Sequence, residues 1–183
     1  MTDDGSTTGS TNGTTDDGTI ETTHEPMRRH LHVVPAYRPS TDGVMRLANL
    51  GPYDTELGGH LPNVTLAYRT WGTLNDARDN AVIILHALTG DSRAAGDGGW
   101  WEPGIGPGGP IDTNTHFVLC ANILGGCQGS TGPASRDADG RSWGTRFPHI
   151  TIGDIVGTQR RLVEKLGITR VIAIGGSIGG FQA

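Results

Sequence analysis

The C-terminal residues of the chain contain a serine whose surroundings suit nucleophilic chemistry. The final segment, RVIAIGGSIGGFQA, places Ser177 between an apolar β-branched run and the beginning of a helical pattern. This order of strand, glycine-rich bend and helix is typical of a nucleophile elbow, in which a strained bend exposes the serine oxygen. Small flanking residues are expected because the bend brings the strand and helix backbones close together. The pattern predicts Ser177 as the nucleophile of an acyl-transfer reaction.

The surroundings of Ser177 carry more weight than the G-x-S-x-G spacing itself, which a chain with 30 glycines produces easily. A dinucleotide-binding turn also consists of a strand, glycines and a helix, but it requires glycine at its first, third and sixth positions. Counted from Gly175, the third position is Ser177. The spacing therefore excludes the dinucleotide-binding alternative.

A second motif, HALTGDS, follows an apolar run and suits the oxyanion hole that acyl transfer requires. Two backbone N–H groups must point at the developing negative charge. In an elbow-type enzyme one donor is the residue after the nucleophile, and the other lies in the loop after the third strand. We predict Ile178 and Leu88 for these roles. His86 could serve as a base, but the usual chain order of nucleophile, acid and histidine favours a structural role.

Another glycine-rich loop, residues 122–133, also leaves an apolar run. It superficially suggests phosphate binding, yet it lacks the lysine of a P-loop. Cys127 within it would need a neighbouring base to act as a nucleophile, and the sequence indicates none, so a role in a pocket wall is expected. Trp100 and Trp101 are predicted either to line a substrate entrance or to form a packed core pair.

The pattern of the remaining segments predicts an α/β fold with a mostly parallel sheet and flanking helices. Residues 64–70 alternate in polarity like a half-buried strand. Residues 81–86 and 117–124 are continuous apolar runs, as expected for strands that are buried on both faces. Residues 171–174 form the predicted strand before the elbow.

One helix is predicted between the second apolar run and the elbow. Thr151 and Asp154 have the spacing of a capping box and would begin it. Gly167 is placed to end it in a left-handed conformation. The apolar stripe of this helix is expected to cover the sheet through Ile155, Val156, Gln159, Leu162, Val163 and Leu166.

Composition limits the classes of partner. The net charge of −5 and pI near 5.7 argue against nucleic acid or an anionic membrane. The sequence contains neither an apolar run of about 20 residues nor a secretion signal, and its two cysteines suit the cytoplasm. Residues 1–26 are predicted to be a disordered acidic tail, with residues 27–183 as the domain. His30 and His32 could bind metal, but no acidic or cysteine ligands accompany them, so no metal is expected.

Several motifs occur in order across residues 45–183: LPNVTLAYRTWGTLN, HALTGDS, GWW, GPGGPIDT, NILGGCQGSTGP and IGGSIGGFQA. Together they resemble the homoserine O-acetyltransferase family of the α/β-hydrolase superfamily. The resemblance implies that Ser177 carries an acetyl group from acetyl-CoA to L-homoserine, with Leu88 and Ile178 as oxyanion donors and Thr89 near the substrate. It also implies a cytoplasmic homodimer with a downstream helical lid, with acetyl-CoA as a co-substrate and no bound cofactor.

Two residues depart from the pattern of this family. Gly109 stands where relatives usually carry lysine, which could alter a surface or entrance contact. Ile178 stands where they usually carry methionine, which should be harmless because the predicted oxyanion donor is its backbone N–H and not its side chain.

The usual order of catalytic residues also bears on the extent of the chain. It places the acid and the histidine after Ser177, so we expect an N-terminal part of the enzyme, inactive and poorly folded alone, cut after the elbow. Other possibilities are an esterase on the same fold, the product of a truncated gene, serine as the acceptor, and a succinyl donor.

Overall fold

The computed structural model describes residues 43–183. The predicted tail of residues 1–26, its boundary with the domain and the pair His30 and His32 lie outside these residues.

A five-stranded mixed sheet forms the centre of the described part. Its strands are β1 (Arg46–Asp54), β2 (His60–Trp71), β3 (Ala81–Leu85), β6 (Phe117–Ala121) and β7 (Val171–Gly175). They lie in the order β1-β2-β6-β3-β7; the pairs β1/β2 and β2/β6 are antiparallel, whereas β3 is parallel to both β6 and β7. A small parallel pair consists of β4 (Ile105–Gly106) and β5 (Ile111–Asp112).

Two α-helices and two short 3-10 helices complete the described structure. They are α1 (Ile152–Lys165), α2 (Ile178–Gln182) and the 3-10 segments Glu102–Gly104 and Gly144–Arg146. None of the helices in residues 43–183 has the length and apolar character needed to cross a bilayer.

Both faces of the central strands are covered, as the continuous apolar runs predicted. All five residues of β3 are buried, and alternate residues enter different clusters. Ile83 packs in the cluster that contains Leu162 of α1, while Ile84 packs with Ala94 and Cys120 on the other face. This burial stabilises the strands whose carboxyl ends lead to the predicted site.

The predicted strand over residues 117–124 is wrong in its C-terminal boundary, because β6 ends at Ala121. Beyond that point the backbone turns, and the Asn122 side chain forms hydrogen bonds with two different loops. Ile123 and Leu124 remain buried without belonging to the strand. Apolar burial alone therefore overstated the length of the strand.

Strand β2 confirms the predicted element, but the expectation of one exposed face is wrong. Ala67 and Arg69, which alternate with the apolar residues, are both buried. Ala67 lies beneath the glycine-rich loop near Gly129, and the Arg69 guanidinium donates to the Gly43 carbonyl. Strand β2 is internal in the sheet and covered on its second face, which period-two polarity could not reveal.

Helix α1 begins and ends as the sequence predicted. The Asp154 N–H donates to the Thr151 hydroxyl at 3.1 Å, and the Thr151 N–H donates to the Asp154 carboxylate at 2.9 Å, so both halves of the capping box form. Gly167 has φ +70°, in the left-handed region where glycine avoids a steric cost. The helix buries Ile155, Gln159 and Leu162 and thereby leads the chain back to β7, the strand before the elbow.

Candidate active site

The elbow has the strained geometry that its sequence predicted. Strand β7 ends at Gly175 and helix α2 begins at Ile178, so the chain reverses within two residues. Ser177, at this bend, has φ +57° and ψ −128°. Such a conformation costs a non-glycine residue about 1–3 kcal/mol and persists only where the surroundings impose it. Within the described residues the exposed Ser177 hydroxyl forms no hydrogen bond, so its oxygen is available to a substrate.

Two of the four glycines around Ser177 are required by close backbone contact. A Cβ atom on Gly179 would collide with the Leu85 carbonyl, and one on Gly175 would collide with the carbonyl of Gly179. Gly176 has open space at its Cβ position, and Gly180 would make only an ordinary contact. Glycine at the first and last positions of G-x-S-x-G therefore lets α2 pack directly against β7 and β3.

The elbow and the HALTGDS segment meet at one edge of the sheet. Leu85 and Gly175 are register partners in the parallel strands β3 and β7, so the loops that follow both strands leave in the same direction. In the described structure, neither the Leu88 N–H nor the Ile178 N–H has a hydrogen-bond partner. The structure therefore brings Ser177 and both predicted oxyanion donors to the same edge, with the N–H groups available.

The Ala87–Leu88 peptide is oriented by hydrogen bonds to its carbonyl oxygen. His86 is buried, and its Nδ1 lies 2.7 Å from the Ala87 oxygen, which can only accept, so Nδ1 donates. The Gly90 N–H donates to the same oxygen at 2.8 Å. In a trans peptide the C=O and the following N–H point in opposite directions. His86 thus helps to turn the Leu88 N–H away from the loop interior, which supports a structural role for this histidine.

A cavity of about 410 Å³ adjoins the loop that carries Leu88. Thr89 lies in its wall together with Arg93 and Trp100, but Ser177 is not among the lining residues. Trp100 and Trp101 stack at 5.5 Å between ring centroids, and they are 42% and 37% exposed. The packed core pair is therefore excluded, and the position of Trp100 supports the entrance alternative.

The two residues that depart from the resembled family lie in different places. Ile178 opens α2, so its N–H is at the start of a helix, and the identity of its side chain does not affect that group. Gly109 lies between β4 and β5, where its N–H donates to the Gly106 carbonyl at 3.1 Å. Gly109 does not line the cavity that Thr89 lines.

Charged groups lie within and beside the loop of residues 86–92, which carries the predicted donor Leu88 and is called the oxyanion loop. Arg69 is only 1% exposed, and burial, followed by repulsion from Arg93, lowers the pKa of its guanidinium. Asp91 opposes that change by attraction. Burial, reinforced by Asp91, raises the pKa of the Cys120 thiol far above its usual range, so this thiol is unreactive. Cys127 is exposed but has no hydrogen-bonded base in the described structure, which does not favour it as a nucleophile.

The glycine-rich loop of residues 122–133 uses its polar groups internally. The Gly125 N–H donates to the Thr131 carbonyl, and the Gly126 N–H donates to the Ile123 carbonyl. These amides do not form an open phosphate cradle. The loop is instead attached to β2, because the Ala67 N–H donates to the Ser130 hydroxyl at 3.0 Å.

Asn122 joins two loops beside the predicted site, a contact that the sequence analysis did not single out. It is 3% exposed, and its side-chain amide connects the oxyanion loop with the glycine-rich loop. A signal was present, since a polar residue directly at the carboxyl end of a buried parallel strand is typical of functional edges in α/β sheets. Within residues 43–183, no three metal-ligating side chains lie close enough to hold an ion.

The comparisons with known proteins agree with this geometry. A sequence model described as alpha/beta hydrolase fold matches residues 80–183. The chain belongs to the α/β-hydrolase fold family, which confirms the predicted fold class.

Within that family the sequence is similar to the homoserine O-acetyltransferases, as the motifs indicated. It is 53% identical over 137 residues to the homoserine O-acetyltransferase of Carboxydothermus hydrogenoformans, an alignment that covers 70% of this chain and 36% of that protein. The chain thus spans about a third of the length of the curated relatives it matches.

Two solved structures are similar to the described fold. A homoserine O-acetyltransferase from Bacillus anthracis gives a TM-score of 0.73 at 34% identity, covering 79% of this chain and 42% of that one. Esterase E22 gives a TM-score of 0.72 at 36% identity, covering 77% and 42%. The same fold and a similar sequence therefore occur in an acyltransferase and in an esterase.

Proposed function

We propose that this chain supplies the nucleophile and the oxyanion hole of a homoserine O-acetyltransferase. The observation that carries the proposal is the strained Ser177, whose bend lies at the same sheet edge as the available N–H groups of Leu88 and Ile178. The similarity to curated homoserine O-acetyltransferases supports the choice of substrates. Acetyl-CoA is then a co-substrate that leaves as the free thiol, and no bound cofactor is needed.

The proposed reaction has two half-reactions at Ser177. In the first, the serine oxygen attacks the thioester carbonyl, its proton passes to a base, and the C–S bond breaks as the thiol leaves with a proton. In the second, the homoserine hydroxyl attacks the serine ester, and the C–O bond to Ser177 breaks as the serine regains its proton. Each half-reaction passes through a tetrahedral oxyanion that Leu88 and Ile178 would stabilise.

The base in this scheme is a histidine oriented by a carboxylate, as in other elbow enzymes. In the described structure no histidine is hydrogen-bonded to Ser177, and His86 already donates to the Ala87 carbonyl. Thr89 would contact the acceptor from the cavity wall. We further propose that the enzyme acts in the cytoplasm as a homodimer, as the resemblance implies.

Acetylation of the complete gene product tests the nucleophile. Incubation with acetyl-CoA and no acceptor should add one acetyl group to the peptide that contains Ser177, and the Ser177→Ala variant should remain unlabelled. Addition of homoserine should then release the label as O-acetylhomoserine. Stable acetylation of Cys127, with Ser177 unmodified, would overturn the assignment.

An esterase is the second candidate function, and the similarity to esterase E22 favours it. Both functions share the acylation of Ser177 and differ in what removes the acyl group, an alcohol or water. The partition of the acyl-enzyme between homoserine and water separates them. Parallel measurements of kcat/KM with serine as the acceptor and succinyl-CoA as the donor decide the remaining alternatives.

A further inference from the structure

We propose that Asn122 is a positioning residue of the oxyanion hole, whose side-chain amide holds the loop that carries Leu88 against the glycine-rich loop of residues 122–133. The inference rests on the proposed acyl transfer at Ser177. It adds a residue that does not touch the substrate but fixes the backbone that does.

The contacts of the Asn122 amide define a bridge between two loops. Its Oδ1 accepts from the Ser92 N–H at 2.5 Å, and its Nδ2 donates to the Gln128 carbonyl. These partners determine the orientation of the amide, because a flip would set two donors against each other and two acceptors against each other. Asn122 and Ser92 are both buried, so water does not compete for the bond between them.

The glycine-rich side of the bridge is anchored to the sheet. The Ser130 hydroxyl donates to the Asn122 carbonyl at 2.6 Å and accepts from the Ala67 N–H on β2. The Asn122 N–H donates to the Ala67 carbonyl at 2.8 Å. Asn122 is therefore fixed through its own backbone, so its side chain can hold the loop of residues 86–92, which carries Leu88, in place.

The connection from Ser92 back to Leu88 is short and rigid. The Gly90 N–H donates to the Ala87 carbonyl at 2.8 Å, and the Arg93 N–H donates to the Asp91 carboxylate at 2.7 Å. Two successive turns thus occupy the segment between the hole and the Asn122 contact. Movement of Ser92 would be transmitted to the Leu88 N–H, and a displacement of about 1 Å in a catalytic group can cost on the order of 100-fold in rate.

Three variants of the complete gene product separate positioning from general stability. Asn122→Ala removes both arms of the bridge, while Asn122→Asp keeps an acceptor for Ser92 and loses the donor to Gln128. Thr131→Val is the matched control, because it removes the hydrogen bond from the Thr65 N–H of β2 to the same loop and leaves every contact of Asn122 in place.

The single-turnover rate of acylation by p-nitrophenyl acetate measures the contribution of the oxyanion hole before any acceptor reacts. We expect Asn122→Ala to slow acylation about 10- to 100-fold with little change in KM, and Asn122→Asp to recover part of that rate. Thr131→Val should lose thermal stability and keep its acylation rate. Equal rates in Asn122→Ala and Thr131→Val would overturn the inference.

Amide hydrogen exchange provides a readout that does not depend on the reaction. The peptide that contains Ser92 should lose protection in Asn122→Ala and keep it in Thr131→Val. Unchanged protection of Ser92 in Asn122→Ala contradicts the inference even if homoserine acetylation is confirmed. A parent enzyme that never acetylates homoserine contradicts the proposed function, while exchange at Ser92 still decides whether Asn122 holds the loop.

Discussion

The two glycine-rich segments, residues 122–133 and residues 175–180, each contain four glycines and are held in opposite ways. In the first, the left-handed positions are glycines, with φ +84° at Gly125 and +94° at Gly129. In the second, none of the glycines has positive φ, and Ser177 carries the left-handed conformation instead. Glycine relieves strain in one segment and permits close backbone contact in the other.

The two segments therefore differ in whether a non-glycine residue carries backbone strain. The loop of residues 122–133 satisfies its polar groups through buried partners on β2, as the Ser130 contact with Ala67 illustrates. The elbow uses few hydrogen bonds and depends on contact between Gly179 and the Leu85 carbonyl. Strain at a reactive residue, imposed by a rigid scaffold, is typical of functional sites. The comparison therefore supports the prediction that the chemistry takes place at the elbow and that the loop of residues 122–133 supports it.

The largest expected effect comes from removing the nucleophile. Ser177→Ala should lower the rate of acetyl transfer by a factor on the order of 10⁶, as in serine triads whose nucleophile is removed. Cys127→Ser, in the supporting loop, should leave the rate unchanged because its thiol has no hydrogen-bonded base among the described residues. Thiol release from acetyl-CoA, measured with homoserine present, compares the two variants. Similar losses of rate in both variants would contradict the view that the elbow performs the chemistry and the loop of residues 122–133 only supports it.

The second prediction tests close contact at the elbow. Gly179→Ala should destabilise the protein by about 1–3 kcal/mol or more, because the new Cβ would collide with the Leu85 carbonyl of β3. Gly176→Ala is the matched control, since its Cβ position is open, and it should change the free energy of unfolding by less than about 0.5 kcal/mol. Denaturant unfolding of the complete gene product measures both changes. Equal values would show that α2 does not pack against β3 as described.

The smallest expected effects are changes in the free energy of unfolding: glycine is expected to be favourable at Ser177, and loss of glycine is expected to be unfavourable at Gly125. Ser177→Gly should be about 1 kcal/mol more stable than Ser177→Ala, because glycine accepts φ +57° without steric cost. Gly125→Ala should destabilise by about 1 kcal/mol, since its φ is +84° although its Cβ would meet only ordinary contacts. Thermal unfolding of the variants checks the signs. A less stable Ser177→Gly would mean that Ser177 is not strained.

The sequence predicted much of the architecture through local signals. The continuous apolar run of β3 indicated burial on both faces, and the spacing of Thr151 and Asp154 indicated the start of α1. Gly167 indicated its end, and the strand-bend-helix pattern indicated the conformation of Ser177. These signals work because capping, left-handed turns and apolar burial depend on a few neighbouring residues.

The roles of Ser177, Leu88, Ile178 and Thr89 stay predictions, although the geometry supports them. Ser177, Leu88 and Ile178 were named from the elbow and the HALTGDS segment, which are contiguous motifs, and Thr89 was named from the family resemblance. The sequence did not show that these residues lie together. Their shared position follows from the pairing of β3 with β7, which makes Leu85 and Gly175 partners at one edge of the sheet.

Only the tertiary structure decided what lies behind the site. The burial of Ala67 and Arg69 required knowledge that β2 is internal and covered on both faces. Strand β6 ends at Ala121, and the next residue, Asn122, binds Ser92, which lies 30 positions away in the sequence. Local sequence determines the conformation of a segment, whereas long-range hydrogen bonds and burial depend on which distant segment the fold brings beside it.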